Sequence, residues 1–418
     1  MISSMQRGLG LAAVASVALS AIPAFAPAMA SSIDPSIVER GRYLALAGNC
    51  ASCHTAKGGE SLAGGLAFQT PFGTVYSTNI TPDKATGIGD WTREQFVQSL
   101  RQGVRPNGDH LYPVFPYTAF ARISDADADA LYAYFMSVPA VSAPALENDM
   151  KFPFSQRALL SVWKSMYLDK GAYQPDSTRS EEWNRGAYLV EGLGHCSACH
   201  SPRNFLGAEK SSAKLTGGEY LDAVATGELR TWSTPNLTSA KSGLGSWSVE
   251  ALAAYLKTGR NEHTETFGPM NEVIMNSTRH LSDADVRAMA TYLNSLPPQE
   301  NATKSAANEQ TLQAGSTLYD VHCGTCHLPT GLGSQNEDSG ARLAGSPVVQ
   351  ASNPAALINV ILYAPQPPEP PLPKRWNRMA AFGDKLSDEE IAALASFLRS
   401  AWGNSGGEVT ADQVAKQR

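Results

Sequence analysis

Spare cysteines are missing from this sequence. Only six of its 418 residues are cysteine, and all six fall into three copies of one short motif. No thiol is left over for a disulfide, so a disulfide-stabilised framework is excluded.

Long apolar runs and an excess of positive charge are missing as well. After residue 30 no apolar segment approaches the ~20 residues that a membrane-spanning helix needs. We therefore expect the mature chain to be soluble by itself, or to be held at a membrane by a partner. The formal net charge is −6, with no basic stripe, which argues against nucleic acid as a partner.

Residues 1–30 have the pattern of a secretory signal peptide. Arg7 supplies the positive start, residues 9–21 form the apolar core, and Ala28-Met29-Ala30 is a small-residue cleavage site. The alternative is an uncleaved N-terminal anchor, but the apolar core is short for a membrane span. We expect a periplasmic protein, free or peripheral on the outer face of the inner membrane.

The motif that uses the cysteines is C-x-x-C-H. It occurs at Cys50 to His54, Cys196 to His200 and Cys323 to His327. This spacing is typical of c-type haem attachment, because two thiols one helical turn apart each bond one vinyl group of a haem. The next residue, a histidine, then lies beneath the iron as an axial ligand.

The sequence therefore predicts three covalently bound haem c groups. The predicted thioether residues are Cys50, Cys53, Cys196, Cys199, Cys323 and Cys326, and the predicted axial residues are His54, His200 and His327. A zinc site would need its C-x-x-C pairs to combine, and three is an odd number. A redox dithiol would lie in a βαβ pattern, which the flanking residues do not show.

Three related units follow one another along the chain. Each begins with a short helical pattern that leads into its motif, and each ends with a serine-capped amphipathic helix after Ser124, Ser282 or Ser387. Within the first two units, Thr92 and Ser248 are further predicted helix caps.

These repeats predict an all-α fold of three tandem cytochrome c domains. The predicted boundaries are 1–30 for the signal peptide, 31–140 for domain 1, 141–180 for a linker, 181–299 for domain 2, 300–309 for a second linker, 310–403 for domain 3 and 404–418 for a C-terminal tail.

The second axial ligand of an electron-transfer haem is often methionine. In the third unit, Met379 precedes the last helix and is the predicted ligand. Met270 holds the corresponding place in the second unit, with Met275 as a competitor.

The first unit has no methionine in this loop, where Phe115 stands instead. Three alternatives remain: Met136 at the end of the last helix, His110 just upstream, or an open position. We favour Met136.

The chain resembles the tri-haem cytochrome c subunits of bacterial membrane-associated dehydrogenases, including those for alcohol, gluconate, sorbitol and fructose. It also resembles the partners of nicotinate and aldehyde molybdenum hydroxylases. The segments that carry the resemblance are Tyr76 to Pro82, Trp183 to Glu191, His200 to Asn204, and Trp402-Gly403-Asn404. Phe115 departs from the Tyr-Pro-Ala-Met-Pro-Tyr loop of the alcohol dehydrogenase type.

The resemblance implies an electron-transfer subunit rather than a catalytic one. A flavin, quinone or molybdenum subunit would oxidise an alcohol, sugar, sugar acid or aldehyde, and electrons would pass through the haems to ubiquinone or another carrier. Membrane association would then come through partners. Two alternatives remain: a haem peroxidase or reductase acting at an open first haem, and a free-standing soluble shuttle.

Overall fold

The computed structural model describes residues 34–223, 229–300, 305–336, 338–373 and 376–418. The predicted signal peptide and part of the 300–309 linker lie outside these ranges. Within them, no helix combines the length and apolar character needed to cross a membrane.

The first unit consists of five helices and a β-hairpin. Its elements are α1 (Pro35–Ala47), α2 (Cys50–His54), β1 (Ala67–Thr70), β2 (Gly73–Tyr76), α3 (Arg93–Gln102), α4 (Tyr117–Phe120) and α5 (Asp125–Ser137). The connecting segment that follows holds β3 (Asp149–Met150) and α6 (Leu159–Tyr167).

The second unit repeats this order. Its elements are α7 (Glu181–Tyr188), a π-helical turn (Leu189–Leu193), α8 (Ser197–His200), a 3-10 turn (Ser211–Ala213), β4 (Gly218–Ala223), β5 (Leu229–Thr234), α9 (Val249–Thr258), α10 (Met270–Asn276), a 3-10 turn (Thr278–His280) and α11 (Asp283–Asn294).

The third unit has helices and no strand among its described residues. Its elements are α12 (Glu309–His322), α13 (Gly324–His327), α14 (Ala355–Tyr363), α15 (Asp388–Ser400), a 3-10 turn (Ala401–Gly403) and α16 (Ala411–Ala415). The predicted tail, 404–418, packs on this unit, because Arg399 donates to the carbonyls of Gly406 and Gly407 and Val414 is fully buried.

The predicted helix caps are confirmed. The hydroxyl of Ser124, Ser282 or Ser387 accepts from the backbone N–H three residues on, and Thr92 and Ser248 do the same at α3 and α9. Acidic residues in the first turns add to this stabilisation through the helix dipole.

In each unit the first helix crosses the last at a glycine. A Cβ on Gly41 would lie 1.9 Å from Ala130 O, one on Gly186 would lie 1.9 Å from Ala288 O, and one on Gly315 would lie 2.1 Å from Ala393 O. Only a residue without a side chain permits such close backbone contact. The same crossing therefore forms the scaffold of all three units.

The all-α prediction is corrected to a predominantly helical fold with short antiparallel strands. β1 pairs with β2 and β2 with β3, while β4 and β5 form a separate hairpin. In the first two units, a hairpin follows the C-x-x-C-H helix and returns the chain to the histidine of the motif. The strands of these hairpins have only four to six residues. Such short segments show little alternation of apolar and polar residues, so they were not predicted from the sequence.

The first two units are joined by an interface between α1, α5, α7 and α11. Tyr43 of α1 donates its hydroxyl to Asp285 Oδ2 of α11 at 2.6 Å. In the reverse direction, Tyr188 of α7 donates to Asp127 Oδ2 of α5 at 2.6 Å. The two tyrosines hold equivalent places in their units, so the contact has approximate two-fold symmetry.

The third unit docks on the second through α14 and nearby loops. Asn359 donates to the Thr231 carbonyl of β5 at 2.8 Å, and the Ala356 N–H donates to the Ser233 hydroxyl at 3.0 Å. This unit has Ala314 and Thr317 where the others have arginine and tyrosine, so it cannot form the tyrosine–aspartate contact.

Candidate haem-binding sites

Each C-x-x-C-H motif forms a short helical turn directly after the first helix of its unit. The chain turns sharply before the first two motifs, with Asn49 at φ 51° and His195 at φ 36°. These left-handed residues lie just before the motif turns. Within each motif, the helical turn itself places the two cysteines one turn apart.

The three predicted axial histidines share one hydrogen-bond arrangement. His54 Nδ1 lies 2.6 Å from the Thr78 carbonyl, His200 Nδ1 lies 2.9 Å from that of Pro235, and His327 Nδ1 lies 2.6 Å from that of Ala341. Because a carbonyl can only accept, each Nδ1 donates, and the neutral ring keeps Nε2 as a free electron pair. That tautomer and orientation are what an iron ligand requires.

Burial keeps these imidazoles neutral. It lowers the pKa of His54, His200 and His327 below the ordinary value, against the smaller effect of the carbonyl bond. A neutral imidazole is the form that binds a metal.

Two asparagines hold the carbonyls that orient the first two histidines. Asn79 Oδ1 accepts from the N–H and hydroxyl of Thr81, and its Nδ2 donates to Val141 O at 2.7 Å. Asn236 does the same with Thr238 and with Gln299 O, also at 2.7 Å. The repeated Ser-Thr and Asn-x-Thr segments were visible in the sequence, but their role was not.

The third histidine has a different support. The Gly340 N–H and the Ser339 hydroxyl both bond the Cys326 carbonyl at 2.9 Å. The His327 ring lies so close that a Cβ on Gly340 would be 2.8 Å from its Cε1. Sequence reasoning missed this contact, since nothing in the third unit repeats the Asn-x-Thr segment.

The six cysteines are free of disulfides. Burial raises the pKa of Cys50, Cys53 and Cys196 to about 12 and that of Cys323 to about 11. A redox dithiol instead depends on a lowered pKa that populates the thiolate. The raised pKa values are therefore the opposite of what disulfide exchange requires.

A continuous cavity of 2860 Å³ joins the first two motifs. Single small-molecule sites usually enclose roughly 300–1,000 Å³, so this cavity has room for more than one large group. Its lining includes both sets of motif residues: Cys50, Cys53, His54, Cys196, Cys199 and His200. The residues present thus fit two covalently attached haem c groups in one enclosure.

Met270, at the start of α10, lines the same cavity as His200. Its competitor Met275 is buried in the core, with its sulfur 3.2 Å from Arg279 Nη1, and is not among the lining residues. The structure thus places Met270 rather than Met275 on the cavity that contains His200.

In the third unit, Met379 and Cys323 pack against the same hydrophobic core. Trp402 packs there too, and its indole N–H donates to the Pro329 carbonyl at 3.0 Å. The predicted ligand and the attachment residue therefore pack against one core.

The first unit presents Phe115 and Tyr112 to the cavity. Met136 packs half-buried against the first core, and neither it nor His110 is among the cavity-lining residues. His110 Nδ1 instead lies 2.9 Å from Lys164 Nζ. The assignment of Met136 stays a prediction.

Comparison with known proteins agrees with this geometry. The cytochrome c family profile matches residues 38–139 and 184–297, and the profile of subunit III of cbb3-type cytochrome c oxidase matches residues 310–398. The profile matches therefore cover all three C-x-x-C-H motifs.

Similar proteins include dehydrogenase subunits. The fructose dehydrogenase cytochrome subunit of Gluconobacter japonicus is 40% identical over 94% of this chain and 84% of its own length. The cytochrome c subunit of the quinone alcohol dehydrogenase of Gluconobacter oxydans is 39% identical over 100% of this chain and 89% of its own.

A third relative is much longer than this chain. It is a nicotinate dehydrogenase subunit of Pseudomonas putida, 43% identical over 94% of this chain, but the match covers only 32% of that protein. Taken with the imidazole geometry and the shared cavity, these matches identify the chain as a member of the family of cytochrome c subunits of dehydrogenases.

Proposed function

We propose that this protein is a periplasmic electron-transfer subunit carrying three haem c groups. It accepts electrons from a catalytic dehydrogenase subunit of flavin, quinone or molybdenum type. It passes them to ubiquinone or to another respiratory carrier, and its association with the membrane comes through partners.

The observation that carries this proposal is the imidazole arrangement found at all three motifs. In each case a backbone carbonyl accepts a hydrogen bond from Nδ1–H, which leaves the Nε2 lone pair for iron. Haem c supplies reversible one-electron chemistry, while the chain holds the imidazoles and surrounds the sites with apolar side chains that exclude water. Transfer then needs no bond to be made or broken in a substrate.

The remaining ligands follow from position. Met270 lies on the cavity of the second unit and Met379 on the core of the third. We assign both as axial ligands, and Met136 as the ligand of the first unit.

The partner assignment draws on the names of the relatives. They are cytochrome subunits of fructose and alcohol dehydrogenases and a subunit of nicotinate dehydrogenase. The proposed substrate class is an alcohol, sugar, sugar acid or aldehyde. The alcohol and the sugar follow from these names, and the sugar acid and the aldehyde follow from the sequence resemblance.

The test begins with the intact mass of the purified mature protein. Three covalent haems should appear and should remain after extraction with acid acetone. A variant in which both cysteines of one motif are replaced with alanine should lose one haem. The three pairs are Cys50/Cys53, Cys196/Cys199 and Cys323/Cys326. A mass without haem would overturn the proposal.

The partner is tested by purification from the native host. We expect a larger flavin-, quinone- or molybdenum-containing subunit to co-purify, and its substrate to reduce the haems. A cytochrome that purifies alone and is not reduced by any such subunit would instead support the free-standing shuttle.

A second candidate function is a peroxidase or reductase acting at the first haem. Phe115 favours it, because this residue lines the cavity and replaces the methionine that the resemblance to the alcohol dehydrogenase type implies. Carbon monoxide added to the reduced protein separates the two functions. A fully ligated protein should show almost no spectral change, whereas an open first iron should bind one equivalent.

A further inference from the structure

The third unit supplies part of the wall of the cavity that contains the second motif. Its lining residues from this unit are Arg342, Gly345, Ser346, Pro347, Val348, Ser352 and Ala356. The enclosure around Cys196, Cys199 and His200 is therefore incomplete without the third unit.

His263 of the second unit faces this junction. Its side chain is 12% exposed, and its ring stacks on Trp247 with centroids 5.1 Å apart and planes at 8°. Asn261 fixes the turn by accepting from the N–H groups of His263 and Thr264. Both His263 and Trp247 line the cavity, so the imidazole is a rigid polar group in a mainly apolar wall.

Arg342 of the third unit meets His263 at the same place. Its backbone N–H donates to the His263 carbonyl at 3.1 Å, and its Nε donates to the Ala344 carbonyl at 2.7 Å. Among the described residues no carboxylate lies within the 4.0 Å of an ion pair with this guanidinium. A half-buried arginine on a cavity without a carboxylate partner is costly unless an anion binds there.

The backbone around Arg342 also ties the two sites together. The preceding carbonyl, that of Ala341, accepts from His327 Nδ1. A second bond between the same segments runs from Gln335 Nε2 to the Glu262 carbonyl at 2.8 Å. One peptide unit thus connects the cavity wall of the second unit to the axial histidine of the third.

We propose that Arg342 and His263 form a carboxylate-binding site, and that its ligand is a propionate of the haem attached to Cys196 and Cys199. This inference rests on the proposed function. A guanidinium offers paired N–H donors that match a carboxylate, and its charge acts strongly in a poorly hydrated cavity. His263 lies beside it as a neutral imidazole, because burial lowers its pKa, and its Nε2 lies 3.5 Å from Glu262 Oε1.

Two consequences follow from the placement of this cation. A positive charge near the second haem disfavours the ferric state, so Arg342 raises the midpoint potential of that haem. Because Arg342 belongs to the third unit, the docking of that unit sets the potential of its neighbour. Arg342 and His263 are positioning residues in this role, and they bind no substrate.

The test is redox potentiometry of the full-length haem-loaded protein in three variants. Arg342→Gln should shift the potential of the second haem downward, while Arg342→Lys should retain most of the wild-type value. Lys416→Gln removes an exposed cation of the same unit that does not line the cavity, and should leave that potential unchanged. The potential that belongs to the second haem is identified with a Met270→His variant, because histidine in place of methionine lowers the potential of that haem.

The outcomes separate this inference from the proposed function. A mass that lacks the second haem defeats the proposed function itself. A full haem complement with an unchanged second potential in Arg342→Gln overturns the carboxylate site alone. A wild-type second potential that varies with inorganic phosphate at constant ionic strength shows that a free anion occupies the site, which overturns the propionate assignment.

Discussion

Tyr43 and Tyr188 make the same hydrogen bond in opposite directions. Each donates its hydroxyl at 2.6 Å to a carboxylate of the other unit, Asp285 for Tyr43 and Asp127 for Tyr188. Each carboxylate is also bound by an arginine of its own unit, Arg185 to Asp285 at 2.7 Å and Arg40 to Asp127 at 2.7 Å. The carboxylates therefore receive donors from both sides of the interface.

Replacing either tyrosine with phenylalanine should weaken this interface. The change removes one bond to a largely buried carboxylate, for which we expect a loss of about 1–3 kcal/mol in the free energy of unfolding. Denaturant titration of Tyr43→Phe and Tyr188→Phe measures it. Tyr76→Phe serves as a control, and an equal loss there would contradict the specific role of the interface.

Acid should weaken the same interface through Asp285. Burial alone would raise the pKa of this carboxyl, but the bonds from Arg185 and Tyr43 outweigh it and hold the pKa below the ordinary 3.8. A lowered pKa in the folded state gives stability that is present above pH ~3.8 and is lost as the pH falls through the folded-state value. The free energy of unfolding, measured from pH 6 down to pH 3, should decline less steeply for Asp285→Asn than for the wild type. Parallel curves would show that Asp285 does not cause the loss of stability in acid.

The helix crossings should not tolerate a methyl group. Gly41→Ala, Gly186→Ala and Gly315→Ala would each drive a Cβ into a backbone carbonyl, at a cost of roughly 1–3 kcal/mol or more. Thermal unfolding and haem content provide the measurement. Gly192→Ala is the matched control, because its Cβ would meet only Arg122 Cβ at 4.0 Å. Three crossing variants as stable as this control would refute the close contact.

The asparagines beneath the axial histidines should matter for the haem environment as well as for stability. Asn79→Ala and Asn236→Ala remove the side chains that hold the Thr78 and Pro235 segments, so the imidazole orientation should relax. We expect a loss of about 1–3 kcal/mol in each and an altered low-spin electron paramagnetic resonance signal of one haem only. Asn107→Ala, in an exposed turn, should change neither property.

Met270 gives a direct test of axial ligation. Met270→Ala should open the second iron and allow one additional equivalent of carbon monoxide to bind the reduced protein. Met275→Ala should cost core stability, about 2–5 kcal/mol, without any change in carbon monoxide binding. The reverse result would assign the ligand to Met275.

Local signals allowed much of the fold to be predicted from the sequence. Serine followed by acidic residues marked the start of α5, α11 and α15, and the C-x-x-C-H spacing marked the attachment turns. These features depend on residues within one helical turn of each other, so a single sequence displays them.

Contacts between distant residues could not be predicted in the same way. The bond from Tyr43 to Asp285 spans 242 residues, and Arg342 reaches the cavity of a different unit. The hairpins were missed for another reason, since strands of four to six residues lie between strong helical patterns. The hydrogen bond from His327 to the Ala341 carbonyl could not be predicted, because every residue has a backbone carbonyl and the sequence does not mark this one.

The reciprocal tyrosines bear on how this chain could have been assembled and how it can be divided. Cleavage within 141–180 and separation of the two units would remove the tyrosine donor from both Asp127 and Asp285. Each separated unit would then lack one hydrogen-bond partner of its carboxylate. Either of the first two units could be exchanged for the equivalent unit of a relative only if that unit also had a tyrosine and an aspartate at the corresponding positions. Inheritance should therefore treat the first two units as one piece. The third unit is attached without such an exchange, but its loss would remove part of the cavity wall around the second motif.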